Sequence, residues 1–379
     1  MLTALVTRRA RVLLSSVALA GVAFAAACDT NLGESATTER GGRAQQGRGA
    51  GKGKRVDREQ RKAAKQEQRA AERTAREAST AAAMVRVVPL ADRGVADERS
   101  GAAASRAVPG VFYTMNDSGN EPTIFAFDTT GASRGRWTVR NGRNVDWEAL
   151  AVGSCGTRAS ATTPAGATCL YVGDVGDNAQ RRPSVTLYRL REPLPGAARG
   201  TLDADVLTVR YPDRAHNTEA MYVASDGAVI LIPKANGHLL GMDDVRPALY
   251  RVAPTAWGSA SPVTATLVDS LPEFAGGGRK RMVTDAALSA DGAWLAVRTY
   301  EWVAIWPVDA TTGLPRRGTS GALCDVQHLD ERQGEGVGFV SVAGTTARLA
   351  FTSEGADQSL RLANCPLSSA PAAAPGAPR

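Results

Sequence analysis

The chain has 379 residues, 43% of them hydrophobic and 5% aromatic, with a formal net charge of +7. Residues 39–77 hold 13 Lys/Arg against 6 Asp/Glu, while everything from residue 78 onward sums to −1. The basicity belongs to one segment, which argues against nucleic-acid binding by a basic fold. Three His and no Cys-x-x-Cys pair likewise argue against a zinc centre.

Arg8, Arg9 and Arg11 precede the apolar run "VLLSSVALAGVAFAAA" (12–27), the layout of a secretory signal and shorter than the ~20 residues of a membrane-spanning helix. Residues 1–27 are therefore expected to be a signal peptide. The run ends "FAAAC" at Cys28, which resembles the lipobox of bacterial lipoproteins, with Ala25 where Leu is usual. That resemblance implies lipidation of Cys28 and an exported protein held at the cell-envelope membrane. The alternative is ordinary cleavage after Ala27. Residues 28–83 follow as a tether. Its first half is Gly-rich and basic, too poor in large apolar side chains to bury a core. The stretch "DREQRKAAKQEQRAAERTAREAS" carries i,i+4 opposite charges and predicts a solvated helix. The Pro/Ala-rich tail, 368–379, predicts no structure.

From residue 84 short apolar runs alternate with Gly/Pro/Asp turns, the pattern of an all-β domain over 84–367. Five segments begin with an acidic or small polar residue followed by small and apolar ones: "ERSGAAAS" (98–105), "DWEALAVG" (146–153), "NTEAMYVA" (217–224), "VTDAALSADG" (283–292) and "GEGVGFVS" (334–341). Each is followed by two more strand runs, and the first four by a third, least clearly in "CDVQHL" (324–329). Such repetition predicts a β-propeller of four-stranded blades, five favoured over six. The last unit is one strand short, and "MVRVVPLA" (84–91) is available to complete it and close the ring. Of five cysteines, Cys155/Cys169 flank one loop and Cys324/Cys365 bracket the last repeat. In an exported chain these predict two disulfides and leave Cys28 unpaired. A monomer is expected.

Aligned repeats put Ser100, Glu148, Glu219, Asp285 and Glu335 at one position, opening the first strand of each blade. First strands line a propeller's channel, so these residues would ring one mouth. The ends of the second strands add Asn116, Asp117, Asp174, Lys234, Arg298 and Glu354. Converging carboxylates repel unless a cation intervenes. Hard oxygen donors without His or Cys point to Ca2+ ahead of Mg2+, with Asp117, Asp174, Asp177 and Asn178 as its expected ligands in the turns "NDSGN" and "GDVGDN". Alternatively each acid caps its own blade, and the second turn is self-bonded.

The series "NDSGN…DWEALAVG…LYVGDVGDN…TLYRLREP…YPD…HNTEAM" resembles a group of secreted bacterial propellers, which implies the fold and a motif set and no catalytic residues. More distantly, the acidic channel with nearby Lys and Arg is similar to calcium-dependent propeller phytases, whose signature motifs this chain lacks. Two functions follow as expectations. One is a surface-anchored propeller that binds a ligand or partner at the acidic mouth through Ca2+. The other is a metal-assisted hydrolase of phosphoesters, lactones or glycosides, with Glu219 and Glu335 as catalytic groups and Lys234 and Arg298 stabilising negative charge.

Overall fold

The computed structural model describes residues 85–92, 98–196, 198–234, 246–272, 281–355 and 359–368, with helical positions between residues 62 and 73. The signal segment, Cys28 and the tail beyond 368 lie outside the described residues. Of the expected tether helix, Lys62, Lys65, Gln66, Arg69, Ala70, Glu72 and Arg73 are helical, mostly exposed.

The first strand, β1 (Arg86–Pro89), precedes blade I, which is β2 (Arg99–Ala104), β3 (Val111–Asn116), β4 (Thr123–Asp128) and β5 (Ser133–Val139). Blade II comprises β6 (Trp147–Ser154), β7 (Thr168–Asp174) and β8 (Val185–Arg191). The chain then detours through β9 (Ala198–Leu202) before β10 (Asp205–Arg210) completes the blade. Blade III holds β11 (Thr218–Val223), β12 (Val229–Pro233) and β13 (Ala248–Val252), detours through β14 (Val263–Thr264) and ends with β15 (Thr266–Ser270). Blade IV is β16 (Val283–Leu288), β17 (Trp294–Thr299), β18 (Trp302–Pro307) and β19 (Ala322–Asp325). Blade V is β20 (Gln333–Ala343), β21 (Thr346–Glu354) and β22 (Ser359–Pro366). The first strands β2, β6, β11, β16 and β20 pack against one another in a closed ring. The fold is a five-bladed propeller.

The core sits between the blades. Five apolar clusters fill the five interfaces, and one strand supplies two of them. On β12, Val229 and Leu231 face blade II while Ile230 and Ile232 face blade IV. Sheets covered on both faces explain why such strands read as unbroken apolar runs instead of alternating.

The ring closes as the sequence predicts: β1 pairs antiparallel with β22, Val87 opposite Arg361, and occupies the fourth-strand place of blade V. Val88 enters the cluster between blades V and I. Two further strands were not foreseen. The detours β9 and β14 lie parallel on β5 and β10, the outer edges of the preceding blades, and cover their unpaired N–H and C=O groups. In blade IV the expected run 324–329 divides: the strand ends at Asp325, whose Oδ1 accepts the Gln327 N–H at 3.0 Å and starts a 3-10 turn. Both disulfides form. Cys155–Cys169 joins the end of β6 to the start of β7, and Cys324–Cys365 ties blade IV to blade V across 41 residues of chain. Closing that longer loop is worth about 4 kcal/mol in the chain-entropy picture. Such bridges belong to an oxidising, non-cytoplasmic compartment. Among the described residues no helix is long and apolar enough to cross a membrane.

Candidate functional site: an acidic channel mouth

Each first strand carries one residue more than the second strand it pairs with, at the same level of the ring. The register jumps between Ser100 and Ala103, Trp147 and Ala149, Thr218 and Ala220, Val283 and Asp285, and Gly334 and Gly336. A bulge re-aims the side chain it carries. In blades II, III and V the extra residue is Glu148, Glu219 and Glu335. In blade IV it is Thr284, one residue before the acid that repeat alignment selects, and in blade I it falls at Gly101–Ala102.

The bulge corrects the placement of Asp285. Its Oδ2 accepts the N–H groups of Ala102 at 3.1 Å and Val337 at 2.8 Å, and Oδ1 takes the Ala286 N–H at 2.8 Å. It laces blades I, IV and V together at the level of the bulges, with both oxygens engaged by backbone N–H groups. Ser100 donates its hydroxyl to the Glu148 carbonyl and to Glu148 Oε2, both at 2.9 Å.

Pairing also resets the second-strand exits. In blades II to V, Asp174, Pro233, Thr299 and Ser353 pair with the residue just before the bulge; of the residues that follow them, Lys234, Tyr300 and Glu354 join Asp117 near the acids, while Val175 packs in the core between blades II and III. Arg298 is fully buried between blades IV and V. It donates to the Gly336 carbonyl at 2.6 Å, the Thr352 carbonyl at 3.1 Å and the Glu331 carboxylate, with its guanidinium over Phe351. A Cβ on Gly334 would collide with it at 1.7 Å, which explains one glycine of "GEG". Arg298 therefore braces two blades. Tyr300, passed over in the sequence, takes the mouth position, its ring 5.1 Å from Lys234 Nζ.

The glycine-rich turn after β7 is largely self-contained. Asp174 pairs with Arg182 at 2.8 Å and accepts the N–H groups of Asp146 at 3.1 Å and Val145 at 3.4 Å. Asp177 Oδ2 accepts the Arg182 N–H at 2.7 Å, a bond that closes the turn on itself. Asn178 Oδ1 takes one hydrogen of Asn217 at 3.1 Å. The buried Asn116 lends its carbonyl to Asn144 Nδ2 at 3.0 Å. Of the expected cation ligands, Asp117 lies in a cluster of acids close enough together to hold a metal ion.

Those acids are Asp117, Asp146 and Glu148, which can each present an oxygen within 4.8 Å of the others. Asp146, two residues ahead of Glu148 in "DWE", was not singled out by repeat alignment because it precedes the strand. The nearest signal was the turn opposite: a Cβ at Gly176 would lie 2.4 Å from the Asp146 carboxylate and 2.8 Å from Glu148 Cγ, so only glycine leaves both acids room. Burial and the charge of Asp117 push Asp146 up to about 6. Burial raises Glu148 well above the carboxylate range, reinforced by Glu219, Asp117 and Glu335. Asp117 and Glu354 are raised by burial too.

Beside this triad, Glu219 Oε1 accepts Lys234 Nζ at 2.6 Å and Asn217 Nδ2 at 3.0 Å, and Asn217 Oδ1 takes the Asp177 N–H at 2.8 Å. Burial outweighs the lysine and lifts Glu219 to about 7, while Glu219 and Glu335 hold Lys234 protonated. Glu335 Oε1 accepts Gln333 Nε2 at 2.6 Å, and burial with the nearby Glu219 charge raises it well above its usual range. Among the described residues, the buried Oε2 atoms of Glu219 and Glu335 have no hydrogen-bond partner. His216, just outside, is held by Asp213 at 3.0 Å and Tyr250 at 2.8 Å, and burial lowers its pKa. The mouth is a ring of under-satisfied carboxylates around one lysine, suited to a hard cation.

No family model and no curated protein matches the chain. Among solved structures it is similar to the PQQ-bound aldose sugar dehydrogenase of Streptomyces coelicolor, at 13% identity and a TM-score of 0.37, over 74% of this chain and 99% of that one. It is also similar to a chain of a nidogen/laminin complex, at 10% identity and a TM-score of 0.34, over 67% and 72% of the two chains. Likeness at this level carries no argument about activity or ligand.

Proposed function

We propose that the protein is an exported, lipid-anchored propeller that binds Ca2+ at its acidic mouth and, through it, a ligand or partner. The observation that carries this reading is the Asp117–Asp146–Glu148 triad, with oxygens within 4.8 Å of one another and, among the described residues, no basic side chain bonded to them. Carboxylates in this state repel one another, and a divalent cation relieves the repulsion while supplying positive charge for an anionic group of the ligand. Thermal unfolding of the purified protein tests it. At a Ca2+ concentration 100 times Kd the native state gains about 2.7 kcal/mol, so the unfolding temperature rises. An unchanged temperature at millimolar Ca2+ sinks the reading. The anchor is tested separately, since Cys28→Ser releases the protein from the membrane fraction if Cys28 is lipidated.

A metal-assisted hydrolase is the second reading, favoured by Glu219, a carboxylate with a pKa of about 7 and an unpartnered oxygen. A general base works best when poised near the operating pH. Turnover of phosphoester or lactone substrates that survives both Glu219→Gln and Glu335→Gln eliminates it.

A further inference from the structure

The other end of the channel differs in chemistry. Past the level where Asp285 laces three first strands together, the channel opens into a cavity of about 130 Å³, lined by Ala102, Leu150, Val152, Tyr222, Ala287 and Phe339. Alanines on the first strands leave space that larger residues would fill. Its volume is close to the roughly 150 Å³ of an apolar cavity known to take up benzene.

The rim is basic. The loop between β2 and β3 carries Arg106 across the opening, where its guanidinium reaches two other blades. Nη1 donates to the Ala290 carbonyl at 2.7 Å, Nη2 to the Ser289 carbonyl at 3.4 Å and Nε to the Val152 carbonyl at 3.4 Å. Glu192 pins the loop by accepting the Arg106 N–H at 3.0 Å and the Ser105 hydroxyl at 2.6 Å. Its charge and that of Asp291 act on Arg106 from a distance, but among the described residues Arg106 forms no ion pair. A guanidinium offers five N–H groups; here three are engaged, all by neutral carbonyls and two of them at long range.

We propose that this end of the channel is a second binding site, for a carboxylate bearing a short alkyl chain. The chain occupies the alanine-lined cavity, and the carboxylate takes the guanidinium fork of Arg106 in place of the two long carbonyl contacts. The site is separate from the acidic mouth and needs no metal.

The test is binding to the purified full chain, by calorimetry, of straight-chain carboxylates from acetate to decanoate beside alcohols of matching length. Carboxylate affinity should rise about fourfold per methylene until roughly six carbons, a benzene's worth, fill the cavity. Arg106→Gln should bring carboxylates down to the affinity of the alcohols and leave the alcohols unchanged. Ala287→Leu, which fills the cavity, should weaken hexanoate at least tenfold. Should that variant not fold, Ala290→Leu obstructs the entrance from an exposed rim position and should do the same. No binding, equal affinity of carboxylates and alcohols, indifference to chain length, or hexanoate binding unaffected by the cavity variant would each overturn the proposal.

Discussion

Blade II contains two pairs of acids that are equivalent as residue types: Asp174 and Asp177 at the end of β7, and Asp146 and Glu148 at the start of β6. The first pair is surrounded by donors, with Arg182, two backbone N–H groups on Asp174 and a third on Asp177. Against the second pair, Ser100 reaches Glu148, and among the described residues no hydrogen bond reaches the Asp146 carboxylate. The first pair holds the blade together; the second remains available to a ligand. Nearby donors, more than the number of acids in a motif, decide which role a carboxylate takes.

The sharpest way to break the comparison is Asp174→Ala. It leaves the Arg182 guanidinium without its carboxylate and two backbone N–H groups without an acceptor. Removing one partner of such a buried pair costs about 3 kcal/mol, read as a lowered urea midpoint at unchanged m-value. The Ca2+-induced rise in unfolding temperature should persist in this variant. Its loss would mean that Asp174 is itself a ligand.

Much of the architecture was legible in the sequence because blades repeat. The five first-strand segments and the missing fourth strand of the last unit follow from aligned repeats, and the cysteine pairs from the loop and the unit they bracket in an exported chain. The site was less legible, for a physical reason. One extra residue in each first strand changes which side chain faces the channel, and a bulge leaves no mark on apolar alternation. Repeat alignment therefore selects Asp285 where the bulge falls at Thr284, and Arg298 where Tyr300 holds the mouth. Glu148, Glu219 and Glu335 survive because in those blades the acid is itself the bulged residue. The parallel strands β9 and β14 escaped notice because a few residues paired at an edge have no periodicity to read.

On the available pair, Glu148→Gln should abolish the Ca2+ effect, worth about 2.7 kcal/mol at 100 times Kd, while raising metal-free stability by of order 1 kcal/mol as like-charge repulsion is relieved. The same acids set a pH dependence. Asp146 and Glu219 have folded pKa values of about 6 and about 7, and burial with the neighbouring carboxylate charges raises Glu148 and Glu335 well above the usual carboxylate range. Groups raised above their unfolded values bind protons more tightly in the native state. The stability this provides is full below the unfolded carboxylate pKa of about 4 and is lost as pH rises through the folded values. Metal-free unfolding temperature should therefore fall between about pH 5 and pH 8. Saturating Ca2+, which takes the place of those protons, should flatten the decline, and a profile indifferent to Ca2+ would detach the acids from metal binding.

The smallest effect sharpens the comparison from within the turn. Asp177→Ala removes one acceptor, that of the Arg182 N–H. It leaves the Asp177 N–H donating to Asn217, so the cradle that presents Glu219 to Lys234 stays in place. Losing a single turn hydrogen bond costs about 1 kcal/mol, and neither the Ca2+ response nor its pH profile should move. If Asp177→Ala weakens Ca2+ binding as strongly as Glu148→Gln, the two pairs are not divided by their donors, and the turn belongs to the site after all. A stability change with an intact metal response would show that a motif rich in acids can serve the fold alone, two residues from the pocket it resembles.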